Sequence, residues 1–123
     1  MISGVGTDIV NIARIENRIS NSAFLKLVFT PGEIDYCEQS SRSQEHFAAR
    51  FAAKEAFFKA LGTGISGDLD FTQAEVVNNA NGKPSFIITG EALKRITELE
   101  IKNIHLSLSH EKDYATAFVI LES

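Results

Sequence analysis

The chain of 123 residues has one cysteine, two prolines and no tryptophan. A lone thiol, Cys37, excludes an internal disulfide, and with it the small secreted scaffolds that depend on several bridges. A reducing, cytoplasmic setting is the simplest expectation. No stretch approaches the roughly 20 apolar residues that a membrane-spanning helix requires. The opening MISGVGTDIVNI lacks the basic start and long apolar run of a signal peptide. Positive charge is also scarce. Twelve Lys and Arg against sixteen Asp and Glu give a net charge of −4, which argues against a nucleic-acid binder. Neither nucleic acid nor membrane is expected as a partner.

What is present fits one folded domain over 1–123. Hydrophobic residues make up 44% and charged residues 23%, enough apolar material for a single core but not for two. One local basic stretch stands out. Between Asn11 and Lys26 lie Arg14, Arg18 and Lys26 with only Glu16 opposing them. A small basic patch on an acidic protein suits an acidic partner steered by charge, although a solvated helix face gives the same pattern.

The spacing predicts a strand over Ile2 to Ile12, interrupted by Gly4 and Gly6. A short helix follows, capped by Asn11 and reaching Arg18, and another covers Ala23 to Phe29. Thr30-Pro31-Gly32-Glu33 supplies an N-cap threonine, an N1 proline and an N3 glutamate, so a helix over Pro31 to Gln39 begins with a capping box. Gln44 to Leu61 has no glycine or proline and is the strongest helix, with Gly62 placed to end it. Asn81-Gly82 marks a hairpin between strands at Phe71–Asn79 and Pro84–Thr89. Gly90–Leu99 reads as a helix with Leu93 and Ile96 inward. Strands at Ile104–Ser109 and Tyr114–Leu121 form a second hairpin. Helices and antiparallel strands in separate runs define an α+β class, an antiparallel sheet packed on a long central helix.

Wound at about 100° per residue, Gln44–Leu61 puts Phe47, Phe51 and Phe58 on one stripe. Ala49, Ala53, Ala56 and Ala60 form a smooth opposite face that admits a close backbone. Glu55 and Lys59 sit in this apolar helix. An exposed i,i+4 pair would stabilise by only about 0.2–0.5 kcal/mol, and a buried carboxylate needs a cation to offset its desolvation. Asp8 is a second carboxylate in an apolar element, in a strand where aspartate is disfavoured. Two such carboxylates meeting across a strand–helix contact would suit Mg²⁺, which takes one or two protein carboxylates and completes its shell with water and phosphate. Lys59 beside them completes a phosphate-binding arrangement. His110 alone fits an ordinary strand histidine, and His46 and His105 show no convergent partners. Gly62-Thr63-Gly64 follows a helix rather than preceding one, so capping is its default role.

Four motifs carry a resemblance: GVGTDIV (Gly4–Val10), FAAKEAFFKALGTGI (Phe51–Ile65), NGKP (Asn81–Pro84) and SLSH (Ser107–His110). In order and spacing the chain resembles the holo-acyl-carrier-protein synthases, the small bacterial 4′-phosphopantetheinyl transferases. The resemblance implies transfer of the 4′-phosphopantetheine arm of coenzyme A to a serine of apo-acyl carrier protein, releasing adenosine 3′,5′-bisphosphate. It implies Mg²⁺ held by Asp8 and Glu55 with the coenzyme A pyrophosphate, and Lys59 on phosphate at the reacting centre. It also implies His110 at the 3′-phosphate, Arg50 near the coenzyme and Gly62 lining the cleft. Arg14 and Arg18 of the basic first helix would dock the carrier protein. A homotrimer with active sites between subunits is implied as well. Glu55, directly or through a metal-held water, is the nearest base for the serine proton. Two rival readings are a non-catalytic module that binds coenzyme A or a nucleotide diphosphate, and an interaction domain with no magnesium dependence.

Overall fold

The computed structural model describes residues Met1–Ser123. Strand β1 (Ile2–Asn11) runs into helix α1 (Ile12–Ile19), α2 (Ser22–Val28), α3 (Pro31–Glu38) and the long α4 (Ser43–Leu61). A single 3-10 turn (Phe71–Gln73) leads to β2 (Ala74–Asn78) and β3 (Pro84–Ile88), then α5 (Gly90–Glu98), β4 (Asn103–His110) and β5 (Tyr114–Glu122). The α+β class expected from the sequence is what forms. The strands divide into two antiparallel sheets, a three-stranded one ordered β1-β5-β4 and the two-stranded β2-β3 hairpin.

Helix α4 lies across the three-stranded sheet, and its alanine face explains how closely. A Cβ built on Gly6 would stand 1.9 Å from the Ala56 carbonyl oxygen, and one on Gly4 would stand 2.1 Å from that of Ala60. Only glycine opposite alanine permits this contact. It places β1 directly against the middle and end of α4. Because side chains alternate along a strand, Asp8 and Val10 share the helix side with the two glycines, whereas Val5 and Ile9 point away and are exposed.

The other side of α4 is covered by the helices. Phe47 and Phe51 join Ile12, Ile15, Val28, Phe29 and Cys37 in one core cluster. Phe57 and Phe58 join Val76, Ile96, Val119 and Leu121 in another. The α3 capping box forms as read: the Thr30 hydroxyl accepts from the Glu33 amide, and Glu33 Oε1 accepts from the Thr30 amide at 3.0 Å. Gly62 ends α4 in the left-handed conformation at φ +84°, its amide donating to Lys59.

Two expectations need correcting. Leu93 is exposed, and α5 packs through Ala92 and Ile96, which share one face at i,i+4 spacing, with Leu93 about 100° away; the Gln73 side chain accepts from the Ala92 amide at 3.1 Å. The segment expected as one strand from Phe71 begins as a 3-10 turn, because Asp70 caps it through the Thr72 amide and delays the ladder until Ala74. The following turn is a five-residue loop over 79–83, stitched by the Asn79 side chain, which accepts from the amides of Asn81 and Lys83.

Candidate active site

Asp8, Glu55 and Lys59 converge. The Lys59 ammonium donates to Asp8 Oδ1 at 2.8 Å and to the Thr7 carbonyl at 3.2 Å. The ion pair of Lys59 therefore crosses from α4 to β1 and is not the i,i+4 pair with Glu55 that helical spacing alone offers. Glu55 is partly buried one turn earlier on the same flank of α4. Its proton affinity is raised, first by burial and then by the Asp8 carboxylate; Lys59 and Arg18 pull the other way without cancelling this. Two carboxylates thus sense one another with a single ammonium beside them.

No cluster of three or more His, Cys, Asp or Glu side chains exists that would hold a metal by itself. A two-carboxylate site that leaves most of a cation's shell to water and phosphate is the arrangement the residues permit.

Arg14 and Arg18 are exposed on α1. The Arg18 guanidinium stacks over the Phe24 ring at 4.1 Å from its centroid, so Arg18 is tethered beside the site. Both arginines line a small cavity with Ile9, Val10, Asn11, Ile15 and Phe51.

Arg50 and His110 lie elsewhere. On the α4 wheel Arg50 is about 140° from Glu55, so the two point off opposite flanks. Arg50 borders a cleft of about 340 Å³ between α3, α4, the β2–β3 loop and β4, shared with His110, His46, Tyr36 and Asn78. His110 Nδ1 stands 3.5 Å from Glu45 Oε1. His46, read from the sequence as having no convergent partners, sits in this cleft with its ring edge-on to Tyr36. Burial, Arg50 and His110 together lower its proton affinity. Gly62 lies at the end of α4, on neither cleft.

The sequence reading also passed over Lys54, the first half of the Lys-Glu pair in α4. It is completely buried and forms a 2.7 Å ion pair with Glu33 of α3, itself completely buried. Its ammonium also donates to the carbonyls of Phe71 at 3.1 Å and Ala74 at 2.9 Å. Burial lowers the Lys54 pKa, and Glu33 opposes that shift. Glu33 Oε2 accepts from the Val76 amide at 2.9 Å. The pair therefore binds α3, α4 and β2 together and fixes the helix segment that carries Glu55. A lysine set among alanines and phenylalanines was the available signal, but its partner Glu33 stands 21 residues away and was already assigned to the capping box.

The chain belongs to the 4′-phosphopantetheinyl transferase superfamily, whose family model matches residues 4–119. Its full-length relatives are holo-[acyl-carrier-protein] synthases. That of Geotalea daltonii is 47% identical over 124 residues, covering 99% of each chain. The crystal structure of the enzyme from Neisseria meningitidis superposes with a TM-score of 0.90 at 41% identity, covering both chains completely. That from Bacillus anthracis, solved in complex with CoA (3′,5′-ADP), gives a TM-score of 0.83 at 40% identity and covers 100% of this chain and 98% of its own.

Proposed function

We propose that this protein transfers the 4′-phosphopantetheine arm of coenzyme A to a serine of apo-acyl carrier protein, with Mg²⁺ as its metal, in fatty acid biosynthesis. The observation that carries the reading is the convergence of Asp8, Glu55 and Lys59 at the β1–α4 contact. The relatives' common activity and the coenzyme bound in the Bacillus anthracis structure support the substrate.

The residues fit the metal. Hard oxygen donors, a carboxylate pair short of positive charge, and Glu55's raised proton affinity all favour a divalent cation between Asp8 and Glu55. When bound, Mg²⁺ would supply Lewis-acid neutralisation of the diphosphate. The chain's own groups do the rest. The serine oxygen attacks the β-phosphorus of coenzyme A, and the bond from that phosphorus to the bridging oxygen breaks. The bridging oxygen keeps the electron pair and leaves as the phosphate of adenosine 3′,5′-bisphosphate. The Lys59 ammonium, held by Asp8 and the Thr7 carbonyl, faces the charge that develops there. The serine proton passes to Glu55, directly or through a water held at the site, the nearest base to the attacking oxygen.

The two half-sites favour a shared active site in a homotrimer. Asp8 lies on one edge strand of the sheet, β1, and His110 on the other, β4. Helix α4 separates Glu55 and Lys59 from Arg50. A head-to-tail cyclic assembly brings the β1 edge of one copy to the β4 edge of the next. The sheet face turned away from α4 exposes Val5, Ile9 and Phe118, an apolar surface that a neighbouring copy would cover. Arg14 and Arg18, exposed beside the Asp8–Glu55 site, would dock the acidic carrier protein and deliver its serine. A cytoplasmic location follows from this activity, and no helix is long and apolar enough to cross a membrane.

Incubation with apo-acyl carrier protein, coenzyme A and Mg²⁺ tests the proposal. A mass gain of one phosphopantetheine arm on the carrier serine, lost on chelation, is the expected result. An unmodified carrier protein would contradict it.

A further inference from the structure

The Arg50 cleft contains a cation whose surroundings are arranged in an unusual way. Arg50 is 2% exposed and yet makes no salt bridge. Its Nη2 donates to the Asn78 side-chain oxygen, a neutral acceptor. Its guanidinium lies over the Tyr36 ring, 4.1 Å from the centroid. Its Nε is buried with no hydrogen-bond partner at all. A buried guanidinium is ordinarily matched by a carboxylate, because an uncompensated interior charge is strongly unfavourable. Here two groups hold the plane of the guanidinium without neutralising it. The other ionisable neighbours in the cleft are His46 and His110, which do not supply negative charge. The nearby carboxylate, Glu45, is engaged by His110 and by Arg42 at 3.7 Å. The result is a positive, pre-oriented fork beneath a cleft, which is a site for a phosphate monoester.

We propose that Asn78 and Tyr36 are positioning residues for Arg50, and that together they make the cleft selective for the 3′-phosphate of the coenzyme's adenosine end. This rests on the coenzyme A reading above, and it goes beyond it by assigning substrate discrimination to two residues that need not touch the substrate. Asn78 has a second link: its Nδ2 donates to the Gly82 carbonyl at 2.9 Å, so the 79–83 loop and the arginine are set by one carboxamide. Neutrality is the essential property. An aspartate at 78 would hold Arg50 more tightly and cancel the charge that the phosphate requires.

The test is calorimetric binding of adenosine 3′,5′-bisphosphate and of adenosine 5′-monophosphate to the full chain, with the melting temperature recorded for each variant. The wild type should prefer the bisphosphate by about tenfold or more, the tenfold being equivalent to about 1.4 kcal/mol. Asn78→Asp should reduce that preference below about threefold, and the melting temperature reports the separate loss of the Nδ2 bond to the Gly82 carbonyl. Tyr36→Leu, which leaves the 79–83 loop bonding intact, should reduce it as well. A merely structural role predicts weaker binding of both nucleotides with an unchanged ratio, and that result would overturn the proposal. So would a wild type that binds both equally. Transfer to the carrier protein is assayed separately: its absence alongside a normal binding preference refutes the transferase reading and leaves the positioning claim standing.

Discussion

Lys59 Nζ donates to Asp8 Oδ1 at 2.8 Å, joining residues 51 positions apart through the contact made by Gly6 and Ala56. The pair marks where strand and helix deliver their charges to one point. Lys59 is about half exposed, so the pair contributes under about 1 kcal/mol to folding. Lys59→Ala should therefore leave urea stability nearly unchanged. Its kcat should fall by about 10²–10³, the usual loss for removing one donor to a developing oxyanion. Steady-state kinetics beside a denaturation curve would separate the two effects.

Lys54 should behave in the opposite way. Lys54→Met leaves the Glu33 charge completely buried without its partner, at a cost of about 3–5 kcal/mol. Adding Glu33→Gln removes that charge and should recover part of the loss, since the glutamine can still accept one of the amides from Thr30 and Val76. Chemical denaturation of the single and double variants would show it. A double variant less stable than Lys54→Met would contradict the pairing.

Cys37 is fully buried, and burial is the main cause that pushes its thiol up to about 12. The folded protein should resist thiol reagents at pH 8 and react with one equivalent once unfolded. The sign of the linkage is fixed. Between the ordinary value of 9.0 and about 12 the folded chain retains a proton that the unfolded chain releases. The contribution of this thiol to stability therefore falls as pH rises above 9.

The exposed sheet face gives a prediction about assembly. Phe118 pairs with Thr7 and Ser107 in the centre of the sheet and is 44% exposed. Phe118→Lys should convert a trimer to monomers in light scattering and abolish transfer, although every residue of the Asp8–Glu55–Lys59 set is retained. A fully active monomer would show that each chain holds a complete site.

Much of this was legible in the sequence because the relevant signals are local. The capping box over Thr30–Glu33, the alanine face of α4 and the alternation that puts Asp8 beside Gly6 each follow from a few neighbouring residues. The meeting of Asp8 and Lys59 could be anticipated because charged side chains stood in two apolar elements. What could not be read depends on tertiary contacts. Glu33 has one oxygen in a local cap and shares that same oxygen with Lys54 across the core. Tyr36, His46 and Asn78 come from three elements and meet only when α3, α4 and β2 pack. Leu93 shows the reverse error: hydrophobicity pointed inward, but the face that packs is the one shared by Ala92 and Ile96.

The central claim is that Asp8 and Glu55 grip one divalent ion against the diphosphate of coenzyme A. Calorimetric titration of Mg²⁺ into the protein–coenzyme A complex tests it most directly. The account predicts saturable binding of one ion per chain, weakened about a hundredfold or more in both Asp8→Asn and Glu55→Gln with coenzyme binding otherwise retained. Equal Mg²⁺ affinity in the wild type and both variants would contradict it.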